Sequence, residues 1–248
     1  MADSSDVKAA AAAAAGGGKG KIYAVEHLEE GVPRWCALEY GHMCEVVKDE
    51  RLAFTKWPNE DRSFACVDSR FAPRVYTESI ADLQKDFPRE RTVLMDMDAS
   101  EPLTPADAAL FDTVLFGGIL GNVPSDDRTQ ELRKVGFPHR RNLGSVQMTT
   151  DTAMLVCKIV LEDGVALEKI PYVDHPDIRT GAHDSTNMPF RYVALSHRSK
   201  KAADANTPIL PRGMVELLRE SADDDLMDEL LQEPSHPLLT QSMPADGV

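Results

Sequence analysis

The sequence predicts an α/β fold, a mostly parallel sheet flanked by helices, and three observations lead to it. Short β-rich runs recur at 21–25, 52–55, 92–95 and 113–116. Segments with helical spacing or helix-boundary residues separate them. Glycine-marked loops then follow the later strands. Alternation of this kind argues for parallel strands joined by crossovers, with both faces of the sheet covered.

Each element has its own warrant. Lys21-Ile22-Tyr23-Ala24-Val25 is the first strand. Pro33 opens a helical stretch in which Trp35, Leu38, Met43, Val46 and Val47 fall near helical spacing. Leu52-Ala53-Phe54-Thr55 reads as the next strand, 78–87 as a helix, and Thr92-Val93-Leu94-Met95 as a strand. Thr104 before Pro105 is an N-cap with proline at the first helical position of a short helix. Thr113-Val114-Leu115-Phe116 is another strand. Asp126 is placed to cap a helix through Val135, which Gly136 stops. A short strand over 139–143 leads to Gly144, and Thr149 or Thr150 caps a long helix through Leu161. The pattern is poor from 170 to 206. A last helix is expected over 211–231, apolar at Met214, Leu217, Leu218, Leu226 and Leu230, with an acidic face that reads as solvated.

The chain has 248 residues, of which 42% are hydrophobic, enough for one substantial core. The expected organisation is one domain over 21–232 between flexible tails at 1–20 and 233–248. The alanine-rich start has too little charge and no leucine-rich core for a signal peptide. Its end, Gly16-Gly17-Gly18-Lys19-Gly20-Lys21, is one residue short of a phosphate loop, and Ile22 stands where Ser or Thr belongs. No apolar run approaches the roughly 18 residues of a membrane span, so a cytoplasmic protein is expected. Cys36, Cys44, Cys66 and Cys157 form no CxxC pair and have no histidine at ligand spacing, which argues for buried thiols and no metal site. The formal charge of −14 disfavours a phosphate-rich partner and favours a basic protein.

Two loops carry the chemistry. Phe116-Gly117-Gly118-Ile119-Leu120-Gly121 follows a strand directly. Its GGxxG spacing is not a dinucleotide fingerprint, and Pro124 and two aspartates follow it. Leu143-Gly144-Ser145-Val146-Gln147-Met148-Thr149-Thr150 again lies between a strand and a helix start. Either loop alone reads as a tight structural turn. Together they lie where open α/β sheets gather ligands, outside the carboxyl ends of strands.

These loops, with Asp127-Arg128-Thr129, Glu131-Leu132 and the run from Gln147 through Asp151-Thr152-Ala153, resemble the SPOUT-superfamily protein arginine methyltransferases. The residues Val25-Glu26-His27-Leu28-Glu29-Glu30-Gly31, Trp35 and Leu38-Glu39-Tyr40 support it near the start. Met188-Pro189-Phe190-Arg191-Tyr192-Val193, Ile209-Leu210-Pro211 and Gly213-Met214 support it near the end. The resemblance spans about 22–231 and leaves 57–74 and 196–207 unmatched. It implies a SPOUT-like fold with a deep trefoil knot at the cofactor site, and S-adenosylmethionine as the methyl donor. By position, the donor's loops are Leu94, Met95 and Asp96; Phe116, Gly117, Gly118, Ile119, Leu120 and Gly121; and Leu143, Gly144, Gln147, Met148 and Thr149. It further implies a basic protein substrate, a small-subunit ribosomal protein, and a monomer without direct nucleic-acid contact. A rival within the superfamily is an RNA methyltransferase, which the acidity and the lack of a basic appended domain disfavour. A rival of another class is a non-catalytic ribosome-assembly factor.

Guanidinium chemistry narrows the catalytic residues. The group is delocalised and its pKa lies above about 12, so no ordinary base deprotonates it first. A carboxylate that grips two N–H groups leaves the third nitrogen free to attack. Candidates are Glu29, Glu30 and Glu26 at the end of the first strand, and Asp127. Asp151 is a further candidate, with an ordinary alternative as a first-turn helix carboxylate. His27 reads as structural.

Overall fold

The structure, a computed structural model, describes residues 20–58, 64–65, 67–118, 129–181 and 184–223. Both proposed tails beyond these limits, Cys66, Ile119, Leu120, Gly121, Asp126, Asp127 and Arg128 lie outside the described residues.

Strand β1 (Ile22–His27) runs into a loop and then helix α1 (Arg34–Val47), entered through Pro33. Lys48 ends the helix at φ 72. β2 (Leu52–Thr55) and the two-residue β3 (Arg74–Val75) follow. The helix expected over 78–87 is instead a 3-10 turn at Ile80–Asp82 with irregular turns after it. The cause is a long-range contact: the backbone N–H of Ile80 and the Ser79 hydroxyl both donate to the Glu26 carboxylate, which fixes the segment to β1. β4 (Thr92–Met95) leads to a 3-10 helix, Pro105–Ala109, at whose start the Thr104 N–H and hydroxyl both donate to Asp107. β5 (Thr113–Gly118), α2 (Thr129–Val135), β6 (His139–Arg141) and α3 (Thr150–Leu161) complete the larger layer. Gly136 and Gly164, at φ +80 and +69, end the two helices in the left-handed conformation that glycine adopts without strain.

The main sheet has the order β3-β2-β1-β5-β4-β6, and every recorded pairing in it is parallel. Alternate residues along each strand face opposite sides. Tyr23, Val25, Phe54, Val93, Val114 and Phe116 join one core with α1 and α3. Ala24, Ala53, Leu94 and Leu115 join a second core with Ile80, Phe87, Leu132 and Phe137. Burial on both faces explains why these strands read as continuous apolar runs. Each large side chain fully buried here contributes roughly 1.5–3 kcal/mol.

The stretch that gave no pattern forms β7 (Tyr172–Asp174), β8 (Asp177–Arg179), β9 (Ser185–Asn187) and β10 (Arg191–Val193). They pair antiparallel as β10-β7 and β8-β9. Three-residue strands are too short to show a period. The short α4 (Ser196–Ser199) follows, then α5 (Met214–Asp223). Met214 and Leu218 pack with Ile178, Met188, Phe190 and Tyr192 against Trp35 and Leu38 of α1. This third cluster sets the C-terminal segment beside the start of α1. Cys36, Cys44 and Cys157 are free and buried, as expected of thiols in a core.

Candidate active site

The chain leaves β1 for β2 on one side and places β5 on the other, so the sheet order reverses at the β1–β5 seam. Outside the strand ends at such a seam is where open parallel sheets take ligands. Glu26 and His27 pair there with Gly117 and Gly118. Leu94 pairs with Leu115 on one side and Arg140 on the other, and Met95 with Arg141. The ends of β4 and β6 are also sewn together. The Asp96 N–H donates to the Arg141 carbonyl, and the Asn142 side chain donates to the Ala99 carbonyl. Three of the sequence-derived segments, 94–96, 116–118 and 143–149, therefore gather at one edge of the sheet.

Their side chains divide into two kinds. Leu94, Met95 and Phe116 are buried in the core, which leaves only their backbone to face a ligand. Leu143 and Met148 are half-buried and pack against the first core, while Gly144 is exposed. Gly144 has φ +103, and a Cβ built there would meet no atom within 4 Å. The position faces open space, on a backbone that favours glycine. Gly118 differs: a Cβ there would stand 2.7 Å from both the Tyr40 hydroxyl and Val25 Cγ1. The close approach that requires this glycine is by the core, not by open space. Met148 and Gln147 are held from behind, since the Arg191 N–H donates to the Gln147 carbonyl at 2.8 Å and Met148 bridges Arg191. Thr149 precedes α3 and its hydroxyl bonds that of Thr152.

Asp96 and Glu26 prove to be internal carboxylates. Asp96 is buried, and it accepts from Arg133 at 3.0 Å, Arg140 at 2.9 Å and the Asp98 N–H at 3.0 Å. Its side chain fastens α2 and β6 to the end of β4, leaving its backbone as the part that could meet a cofactor. Glu26 accepts from Thr55 at 2.6 Å, Ser79 at 2.6 Å and the Ile80 N–H at 2.9 Å. With three donors from its own chain and a position inside the fold, this carboxylate is committed to joining β1, β2 and the 3-10 turn.

Glu29 is half-buried and Glu30 exposed, on the loop that follows β1. His27 organises that loop. Its Nδ1 lies 2.8 Å from the Tyr40 hydroxyl and its Nε2 2.8 Å from the Gly31 carbonyl. Since a carbonyl only accepts, Nε2 carries the proton and Nδ1 accepts from Tyr40. Burial pushes the imidazole pKa below its usual 6.5. The unfolded chain therefore takes up a proton first, and the stability His27 supplies is full above 6.5 and lost as pH falls through the lower folded value. A melting series from pH 7 to pH 5 should show a falling midpoint, with a shallower fall in His27→Gln. Equal slopes would remove His27 from the cause.

The sequence missed a cluster beneath the third loop. Glu39, on α1, accepts from the Trp35 indole at 2.6 Å and reaches the backbone at Thr150 and Asp151. Asp151 is fully buried against His42, 2.7 Å away. The available signal was Glu39 itself, a charged residue four positions from Trp35 and Met43 on the apolar stripe of α1. Among the described residues no group of His, Cys, Asp or Glu is arranged to hold a metal ion. No helix among them is long and apolar enough to cross a membrane.

Comparisons with known proteins converge on one family. Residues 22–225 match the family model described as protein arginine N-methyltransferase SFM1-like. Protein arginine N-methyltransferase SFM1 of Saccharomyces cerevisiae is 36% identical over 221 residues, covering 84% of this chain and 99% of that protein. The crystal structure of the yeast arginine methyltransferase SFM1 complexed with SAM superposes with a TM-score of 0.72 at 33% identity, covering 84% of this chain and 94% of that one. The corresponding complex with SAH gives 0.70 at 34% identity, covering 79% and 94%. The chain belongs to the SFM1-like family of protein arginine N-methyltransferases.

Proposed function

We propose that this chain transfers the methyl group of S-adenosylmethionine to the guanidinium of an arginine in a basic protein. The observation that carries the reading is that β5, β4 and β6 run parallel side by side, so that segments 94–96 and 116–118 and the start of the 143–149 loop leave the same edge of the sheet, beside the acidic loop that His27 anchors. Backbone at Leu94, Met95, Asp96, Phe116, Gly117 and Gly118 would hold the donor, with Leu143, Gly144, Gln147, Met148 and Thr149 on its other side. Ile119, Leu120 and Gly121 belong to the same proposal by position. Gly144 leaves its backbone accessible to a donor, since no atom lies within 4 Å of where a Cβ would stand.

When bound, S-adenosylmethionine supplies a methyl group activated by a sulfonium. The residues of this chain orient the acceptor towards it. Glu30 and Glu29 grip two N–H groups of the guanidinium and leave the third nitrogen in line. Holding both partners in near-attack geometry is worth up to about 7–11 kcal/mol. A carboxylate, Glu29 or Asp127, takes the proton after transfer. Glu26 enters this scheme as the residue that positions the end of β1. The net charge of −14 supports a basic substrate, and the resemblance supports a small-subunit ribosomal protein, a cytoplasmic monomer and a knotted chain.

Calorimetry tests the donor half. Purified protein should bind S-adenosylhomocysteine with micromolar affinity, about −8 kcal/mol. Gly144→Val should stay folded, because the site is exposed, yet lose binding by tenfold or more through backbone strain and occupation of that open space. No binding by the unaltered protein would end the reading.

A further inference from the structure

The acidic loop after β1 is held at both of its ends. At its start the Leu28 N–H donates to the Gly118 carbonyl at 3.1 Å, beside the pairing of His27 with Gly118. At its end the Gly31 carbonyl accepts from His27 Nε2 at 2.8 Å. Between these two points stand Glu29 and Glu30 alone. Tyr40 governs the second hold. Its hydroxyl comes from α1 and donates to His27 Nδ1 at 2.8 Å. That makes Nδ1 the acceptor, so the ring proton resides on Nε2 and serves Gly31. The hydroxyl passes so near β5 that a Cβ on Gly118 would stand 2.7 Å from it. Gly118 thus accepts from one end of the loop and leaves room for the group that fixes the other. The Trp57 ring, 5.5 Å from that of His27, and the Tyr40 ring, at 5.9 Å, flank the imidazole. His27 and Tyr40 are each 1% exposed, too deep to touch a substrate themselves.

We propose that Tyr40 and His27 are positioning residues for the acceptor: together they hold the Glu29–Glu30 loop against the end of β5, so that its carboxylates meet the guanidinium in one geometry. The inference rests on the assignment of those carboxylates to the acceptor. A carboxylate that takes two N–H groups at once needs both oxygens in place. A short loop fixed at both ends has little freedom left to lose when the acceptor arrives. Released from His27, the loop keeps only its hold at Leu28, and ordering Glu29 and Glu30 then opposes acceptor binding. Tyr40→Phe makes that release with the least disturbance. It keeps the ring and its packing, removes the donor to Nδ1, and lets the imidazole proton move to either nitrogen.

Methyl transfer by the full-length protein tests this, with donor saturating and the basic protein fraction of a cell lysate as the varied acceptor. Calorimetry with S-adenosylhomocysteine runs beside it. Tyr40→Phe should raise the half-saturating acceptor concentration about fivefold or more, as expected for one lost hydrogen bond, and leave donor affinity unchanged. His27→Ala should raise it further, and His27→Gln, whose amide N–H can stand where Nε2 does, should recover much of the loss. Nitrogen NMR of the histidines adds a signature that packing alone does not move: His27 protonated at Nε2 in the unaltered protein, and a mixture of tautomers in Tyr40→Phe. If His27→Ala does not fold, Tyr40→Phe decides. An unchanged half-saturation in Tyr40→Phe, or a loss of donor affinity as large as the loss for acceptor, would overturn the proposal. Full transfer in Glu29→Gln and Glu30→Gln would instead remove the carboxylate assignment, and the inference with it.

Discussion

Gly118→Val is expected to destabilise the whole domain, not merely to weaken binding at the proposed donor site. The added methyl groups have no room, because the first carbon alone would sit 2.7 Å from the Tyr40 hydroxyl and 2.7 Å from Val25. Neither neighbour can yield cheaply. Tyr40 is buried to 1% exposure and bonded to His27, and Val25 is a fully buried residue of β1. Overpacking of a rigid core costs about 1–3 kcal/mol, and displacing Tyr40 adds the loss of its bond to His27. A total near 3 kcal/mol should lower the melting temperature by roughly 6–12 °C in a domain of this size. Gly118→Ala should move in the same direction by less. Thermal melting decides it: a Gly118→Val protein that melts normally and fails only to bind donor would show that this glycine serves the ligand and not the core.

The second large effect is on transfer. Glu30→Gln and Glu29→Gln should each cut methyl transfer to a basic substrate tenfold or more, with donor affinity unchanged. Each substitution weakens a charge-assisted hydrogen bond to the guanidinium, worth about 1.5–3 kcal/mol. At 1.36 kcal/mol per factor of ten, that gives about one to two orders of magnitude in rate. The fold should not suffer, since Glu30 is exposed and the loop is tied by His27 to the Gly31 carbonyl. The measurement is steady-state kinetics with donor and acceptor varied separately. Full activity in both variants would move the gripping carboxylate to Asp127.

Strands β2 and β4 were legible to the residue, because both of their faces are buried and the apolar run is unbroken. The helix ends at Pro33 and Gly136 were legible because their backbone restrictions are local. The 78–87 segment was not. Its fate rests on a long-range bond from Ile80 and Ser79 to Glu26, more than fifty residues away. The loops proposed for the donor carry glycine punctuation in the sequence, which does not separate Gly144, facing open space, from Gly118, pressed by Tyr40. Nor does it separate Glu26 and Asp96 from the exposed Glu30. Three carboxylates look alike in sequence, and only their neighbours decide which are free to meet a substrate.

An arginine in a basic protein as the methyl acceptor can be read out in a single labelling experiment. Purified protein is incubated with a cell lysate and methyl-labelled donor, and half of the sample is then digested with nuclease. Label is expected in a basic protein band that survives nuclease and yields methylarginine on hydrolysis and mass spectrometry. Label released by nuclease, with no methylarginine in the hydrolysate, would contradict it and make a nucleic acid the substrate.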